Sequence, residues 1–292
     1  MWRVQIRRRG FPSESATFRL KGQADAWAIE RYKTDVSPKH RGKRWELLRL
    51  DKILRTLDFA DRDLQSVSKD DIAKWRDGMK LAPSTCKREY GVLRAVFSTC
   101  VEEWGWIKVS PFRGVSPPKE GKPRKQRVSD ADALTIATAL GYVPGASPET
   151  ASQYVAAAFL LGIETAMRKG EMLSLERDQI SEQIAHLLKT KNGDERDVPL
   201  SKAAREIIAK LPTEGYIFPV ADTTADTLFR KARDKVGLRN IHFHDSRREG
   251  TTRLSKKVDV LTLAKITGHK DVNLLLRVYY APDMLDVAAR LD

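Results

Sequence analysis

Between residues 44 and 104 apolar positions recur three times at helical spacing. Residues 44–59 carry Trp45, Leu48, Leu50, Ile53 and Leu54 or Leu57 on one stripe. Residues 68–78 follow with Ile72 and Trp75, and Ser68 and Asp71 are spaced as a capping pair. The Pro83-Ser84 step then opens a long segment to residue 104, striped by Tyr90, Leu93, Val96, Phe97 and Val101. Three helices of this kind predict a small helical domain over residues 43–110. Ahead of it, WRVQIRRRG and SATFRL alternate apolar with polar residues and read as a two-stranded ribbon. A helical pattern over residues 21–33 supplies something for a ribbon to lie on, since two strands alone are marginal. Residues 1–36 therefore form a separate N-terminal module.

The pattern breaks at residue 111. Residues 111–128 are rich in proline and basic residues and have no period, which predicts an exposed, extended tether. From residue 129 the texture changes again, and helical stripes are expected over 130–140, 150–162, 169–175, 202–211, 223–236, 246–252, 259–267 and 271–280. Residues 179–188 and 195–200 alternate like strands on either side of Asn192-Gly193, a strong hairpin turn. Residues 129–292 thus read as a second, mainly helical domain with a small β element, and the whole chain as multidomain and mainly α.

Composition sharpens this picture at two points. The formal net charge is +14, and nearly all of the excess lies in residues 1–124. A field of one sign concentrated in one half of a chain points to a polyanionic partner. Within that half and just past its end, Arg3, Arg7, Arg8, Arg9, Lys43, Arg44, Lys87, Arg88, Arg94, Lys122, Arg124 and Lys125 are the candidate phosphate contacts, which position a duplex without reading its bases. The two cysteines, Cys86 and Cys100, lie in one helical pattern with no metal-like spacing to histidine, so no disulfide framework or zinc site is expected. No apolar run is long enough to span a bilayer and the N-terminus has no signal pattern, which leads us to expect a membrane-free protein of the reducing cytoplasm.

The candidate chemistry gathers in the second half. Arg168 follows a turn and opens a helix; Arg247 lies three residues after His244, on the same helical face; His269 and a tyrosine pair follow. Two guanidiniums and two imidazoles brought to one point suit an anion with several oxygens, such as a phosphoryl group. No set of ligands suggests a metal, so a proton donor must come from the protein, and Lys191 in the hairpin is placed for it. No GxxxxGK[ST] loop occurs, which argues against a nucleotide-driven machine.

The ordered segments ETAMRKGEMLSL, KTKNG, HFHDSRREGTT, ITGHK and RVYYAP resemble the boxes of the tyrosine recombinases, particularly phage integrases. The resemblance implies a core-binding domain at 43–110, an arm-like DNA-binding module at 1–36 and a catalytic domain at 129–292. It implies Arg168, Lys191, His244, Arg247 and His269 as the catalytic set, Glu171 as a supporting acid, and Tyr279 as nucleophile with Tyr280 as the alternative one register on. Ala166, Thr267 and Ala281 depart from the usual glycine, leucine and histidine. The implied activity is cofactor-free, site-specific cleavage and rejoining of double-stranded DNA through a 3′-phosphotyrosyl bond, as in phage or prophage integration and excision. The implied partners are attachment-site DNA, three further copies in a tetramer, and DNA-bending or excision proteins. The competing readings are a DNA-binding protein without catalysis and a site-independent topoisomerase of the same chemistry.

Overall fold

The computed structural model describes residues 2–6, 14–18, 43–121, 126–188 and 195–279, of which 2–6, 14–18 and 43–44 are described by their backbone alone. The chain divides into two compact units at residue 123.

In the first unit β1 (Trp2–Ile6) pairs antiparallel with β2 (Glu14–Phe18), Trp2 opposite Phe18 and Ile6 opposite Glu14. Helices α1 (Lys43–Thr56), α2 (Lys69–Gly78) and α3 (Pro83–Glu102) follow close to the expected bounds. The predicted capping box is present: Ser68 Oγ accepts the Asp71 amide, and the Ser68 amide donates to Asp71 Oδ2 at 2.8 Å. Proline at the start of α3 costs nothing, because the first amides of a helix have no carbonyl to bond. Leu50, Ile53, Ile72, Tyr90, Leu93, Val96 and Phe97 form the core.

Two expectations fail in this unit. Trp45 and Leu48 are 40% and 62% exposed rather than part of the stripe, because the buried face of α1 runs through Leu50, Ile53 and Leu57. The Arg49 guanidinium lies over the Trp45 ring instead, 5.0 Å from its centroid. The segment from residue 111 is also no free tether at its start. Phe112 is buried, edge-on against Tyr90 and tilted against Phe97, and the Tyr90 hydroxyl donates to the Val115 carbonyl at 2.7 Å. Burying one Phe is worth about 1.5–3 kcal/mol, enough to pin a proline-rich strand that has no hydrogen-bonding partner strand. Its far end is fixed too: Val128 is buried, and Arg127 donates to buried Glu249.

The second unit is built on α5 (Ala151–Thr165), which is buried along most of its length. Around it lie α4 (Asp130–Ala139), α7 (Lys202–Ile208), α8 (Asp222–Lys235) and α9 (His244–Leu254). Between α5 and α7 come the short α6 (Lys169–Leu173) and the hairpin β3 (Ile184–Leu187) with β4 (Arg196–Pro199), Leu187 opposite Arg196. The expected first strand starts late: Gln179 still belongs to a 3-10 turn at Arg177–Gln179, and the strand begins only at Ile184. Helices α10 (Val260–Thr267) and α11 (Val272–Val278) close the described chain. The predicted helix at 21–33, Asn192-Gly193 and the residues beyond Tyr279 lie outside the described residues.

What brings α9 against α5 is the absence of side chains. A methyl built on Gly250 would sit 2.6 Å from the Ile163 carbonyl oxygen, and one on Gly162 2.6 Å from Ser246 Oγ. Gly250 lets the two backbones approach to a distance no larger residue permits, Gly162 makes room for the Ser246 side chain, and this fixes where Arg247, one turn before Gly250, enters the interior.

Candidate active site

Helix α5 ends at Ala166, whose φ of 53° is left-handed, the only such non-glycine residue among those described. That conformation is uncommon for a residue with a Cβ and marks a constrained turn. It turns the chain within two residues, so that Arg168 becomes the cap of α6 and its side chain points inward. Arg168 Nη1 donates to Glu171 Oε1 at 2.7 Å, its amide to Glu171 Oε2 at 2.8 Å, and Nη2 to the Gly268 carbonyl at 3.2 Å.

Arg247, on α9, is 4% exposed. Its Nη1 donates to the Ala166 carbonyl and its Nη2 to the Thr267 carbonyl, both at 2.7 Å. One guanidinium thus staples the α5–α6 turn to the end of α10. Burial, and then the neighbouring Arg168 guanidinium, bring its pKa down to about 10, so it keeps its charge at neutral pH.

Gly268 ends α10 with φ 67°, which turns His269 back over these arginines. Burial, Arg247 and Arg168 hold the His269 ring down at about 4, with Arg196 and His244 acting in the same direction. Thr267 Oγ1 donates to the Leu263 carbonyl at 2.6 Å and lies 2.6 Å from His269 Nδ1. A hydroxyl has one proton, and the carbonyl can only accept. Both contacts are hydrogen bonds only if Nδ1 carries its own proton, which leaves Nε2 bare in the neutral ring. Thr267 therefore fixes the tautomer of His269.

Tyr279 ends α11, its amide donating to Leu275 and its carbonyl accepting from Ser255 Oγ at 3.1 Å. Its ring centroid lies 6.5 Å from that of His269. Burial pushes the phenol above its ordinary range, while Arg248 and Arg247 pull it back. His244 is exposed at the start of α9. The structure thus gathers Arg168, Glu171, Arg247, His269 and Tyr279, with His244 near enough to His269 to act on its charge. Lys191, in the connection between β3 and β4, and Tyr280 lie outside the described residues.

One further residue, not among those expected from the sequence, belongs to this group. Arg196 Nη1 and Nη2 donate to the two oxygens of Glu171 at 3.0 and 2.6 Å, and its Nε donates to the Ile266 carbonyl at 2.9 Å. The signal was available in the two-residue period: Arg196 shares a strand face with buried Val198 and Leu200, where a charge needs a partner.

The candidate DNA contacts divide differently. Arg88 and Arg94 are exposed on α3, whereas Lys87 is held by Glu120. Arg3, Lys43 and Arg44 are described only by their backbone, and Arg7, Arg8, Arg9, Lys122, Arg124 and Lys125 lie outside the described residues. Among the described residues no group of acidic, histidine or cysteine side chains could hold a metal ion, and no helix is long and apolar enough to cross a membrane.

The sequence pattern described as the phage integrase family matches residues 128–285. The chain belongs to that family. It is a tyrosine recombinase, an enzyme that breaks and rejoins DNA strands. A Haemophilus influenzae protein bearing an integrase/recombinase name is 41% identical to the recombinase over 90% of this chain and 88% of its own. The fold is similar to that of the Tn1549 transposon integrase, residues 82–397, in complex with circular intermediate DNA, at a TM-score of 0.72, 16% identity and coverage of 92% of this chain and 99% of that one. A lambda integrase tetramer bound to a Holliday junction gives a TM-score of 0.70 at 19% identity, over 84% of this chain and 77% of that one.

Proposed function

We propose that the recombinase exchanges strands at specific sites in double-stranded DNA, with the Tyr279 phenol attacking the scissile phosphorus. The phosphorus–oxygen bond to the 5′-oxygen breaks, a 3′-phosphotyrosyl bond forms, and Lys191 gives its proton to the leaving 5′-oxygen. His244 takes the phenol's proton, because a tyrosine pushed above its ordinary pKa is a poor nucleophile until the proton leaves. Arg168 and Arg247, and His269 once it has taken up a proton beside the bound phosphate, offset the charge that builds on the pentavalent phosphorus. Attack by a new 5′-hydroxyl reverses each step, so the bond energy is conserved and no nucleotide cofactor enters.

The observation that carries this reading is the packing of two arginines, one buried, beside a half-buried tyrosine and a neutral histidine. Two guanidiniums at one place repel each other, and their cost is offset once an anion lies between them. The biological setting we propose is movement of a phage, prophage or other mobile element, in keeping with the transposon and phage integrases that share the fold. A tetramer on paired attachment sites, assisted by DNA-bending or excision proteins, follows from the same reading, as do a core-binding role for residues 43–110, an arm-like role for residues 1–36, and a place in the bacterial cytoplasm on the nucleoid.

Covalent trapping tests the chemistry. Wild type, Tyr279→Phe and Tyr280→Phe would be mixed with labelled, nicked duplex from the region flanking the gene and run on denaturing gels. We expect an adduct lost only in Tyr279→Phe. Loss only in Tyr280→Phe moves the nucleophile by one residue, and no adduct on DNA that the protein binds refutes the mechanism.

A further inference from the structure

Glu171 presents a difficulty for the proposed centre. Its side chain is 4% exposed, its carboxyl is ionised, and it holds Arg168 at 2.7 Å. A carboxylate bound to a guanidinium neutralises much of the charge that guanidinium would offer to a phosphate. Left with Arg168 as its one cation, Glu171 would compete with the DNA.

Arg196 answers that difficulty. Each Glu171 oxygen takes two donors: Oε1 accepts from Arg168 Nη1 and Arg196 Nη1, and Oε2 from the Arg168 amide and Arg196 Nη2. The Arg196 fork is the in-plane, two-bond geometry that binds a carboxylate best. Its remaining Nε is held by the Ile266 carbonyl, and its guanidinium lies against Gly268, where an added Cβ would be 3.1 Å from Nη1. The side chain is itself 8% exposed, so little of it can reach a ligand. Burial alone would raise the Glu171 carboxyl, but the bonds from Arg196 and then Arg168 keep it below its usual range.

We infer that Arg196 is a positioning residue that takes up the Glu171 charge and so leaves Arg168 available to the scissile phosphate. Arg196 opens β4 immediately after the connection that contains Lys191. The same side chain ties that strand to the end of α10, next to His269, and to α6. The inference rests on the reading of Arg168 as a phosphate-binding group.

The test is a charge-compensation cycle on the wild-type chain, Arg168→Ala, Arg196→Ala, Arg196→Lys and the double variant Arg196→Ala with Glu171→Gln. The probe is nicked duplex from the region flanking the gene, with adduct formation followed at saturating DNA and affinity measured separately by gel shift. Arg196→Ala should form adduct about tenfold or more slowly at unchanged affinity, and Arg196→Lys should lie between it and wild type, keeping the charge without the fork. The decisive variant is the double one. Removing the Glu171 charge frees Arg168, so the double variant should be faster than Arg196→Ala, whereas a merely structural Arg196 makes the second loss neutral or additive. A double variant no faster than Arg196→Ala overturns the inference, as does wild-type speed for Arg196→Ala. If Arg196→Ala does not fold, Arg196→Gln is compared with Arg196→Gln, Glu171→Gln in the same way, and the same two outcomes overturn the inference. Wild-type speed for Arg168→Ala overturns the reading of Arg168 itself, a failure separable from the other.

Discussion

His269 shows how much a single neighbouring hydroxyl can decide. Because Thr267 occupies Nδ1, the neutral ring has an acceptor at Nε2 and cannot donate there to a phosphate oxygen; it must first bind a proton. In the DNA-free protein burial and the arginines oppose that proton and place the titration at about 4, against an ordinary 6.5. The folded-state value lies below the unfolded one. Stability is therefore complete above about 6.5 and falls as pH drops toward about 4, where the unfolded chain takes up a proton that the folded chain refuses. A bound phosphodiester reverses the local field, and the ring should then titrate higher. Following the His269 Cε1 proton by NMR should give a midpoint under about 5 in the free Tyr279→Phe protein and a rise of about one unit or more on nicked duplex. In Thr267→Val the tautomer preference should disappear, read from the ring nitrogen shifts. An unchanged midpoint with DNA would separate His269 from the phosphate.

At the scale of elements, the centre depends on how closely α9 approaches α5. Gly250→Ala places a methyl against the Ile163 and Gly162 carbonyls, which are backbone and cannot rotate away. The expected loss is about 1–3 kcal/mol in denaturant unfolding, accompanied by slower adduct formation because Arg247 moves with its helix. Ser129→Ala, which removes the cap of α4 that bonds the Asp132 amide at 3.0 Å, should cost about 1 kcal/mol and leave adduct formation unchanged. The contrast separates a helix that supports the core from one that carries the site. These elements also show what could be read in advance. Helix starts at Ser68 and Pro83 were legible because capping is local chemistry, written within four residues. The exposure of Trp45 and Leu48 and the burial of Phe112 were not, because each is decided by a partner distant in sequence. For the site, arginine, histidine and tyrosine positions were legible through their ordered boxes. Arg196 was legible only in part: its two-residue register with Val198 and Leu200 places it on the buried face of the strand, but Glu171, the partner that makes a charge tolerable there, is distant in sequence. The tautomer at His269 likewise needed the Thr267 hydroxyl in space.

At the scale of the molecule, charge and chemistry fall in different units. Nearly all of the net charge of +14 belongs to residues 1–124, while the candidate site groups lie beyond residue 123 in a unit with its own core. In the second unit Arg168 and Arg196 share the Glu171 carboxylate, and Arg127 and Arg253 share Glu249, so much of its positive charge is already matched. Binding and bond breaking should therefore respond differently to salt. For the whole chain, log affinity for duplex should fall steeply with log salt, by about 0.9 per phosphate neutralised. A chain beginning at residue 124 should unfold in one cooperative transition and bind with a slope shallower by about 3 or more, the loss of a few phosphate contacts such as those of Arg88 and Arg94. At saturating DNA its rate of adduct formation on nicked duplex should stay within about threefold of the whole chain, because orientation at the phosphorus is set by groups it retains. Equal salt slopes would show that the basic half does not lie along the phosphates. A shallow slope with a collapsed rate would instead make residues 1–123 part of the alignment of the scissile bond, beyond supplying affinity.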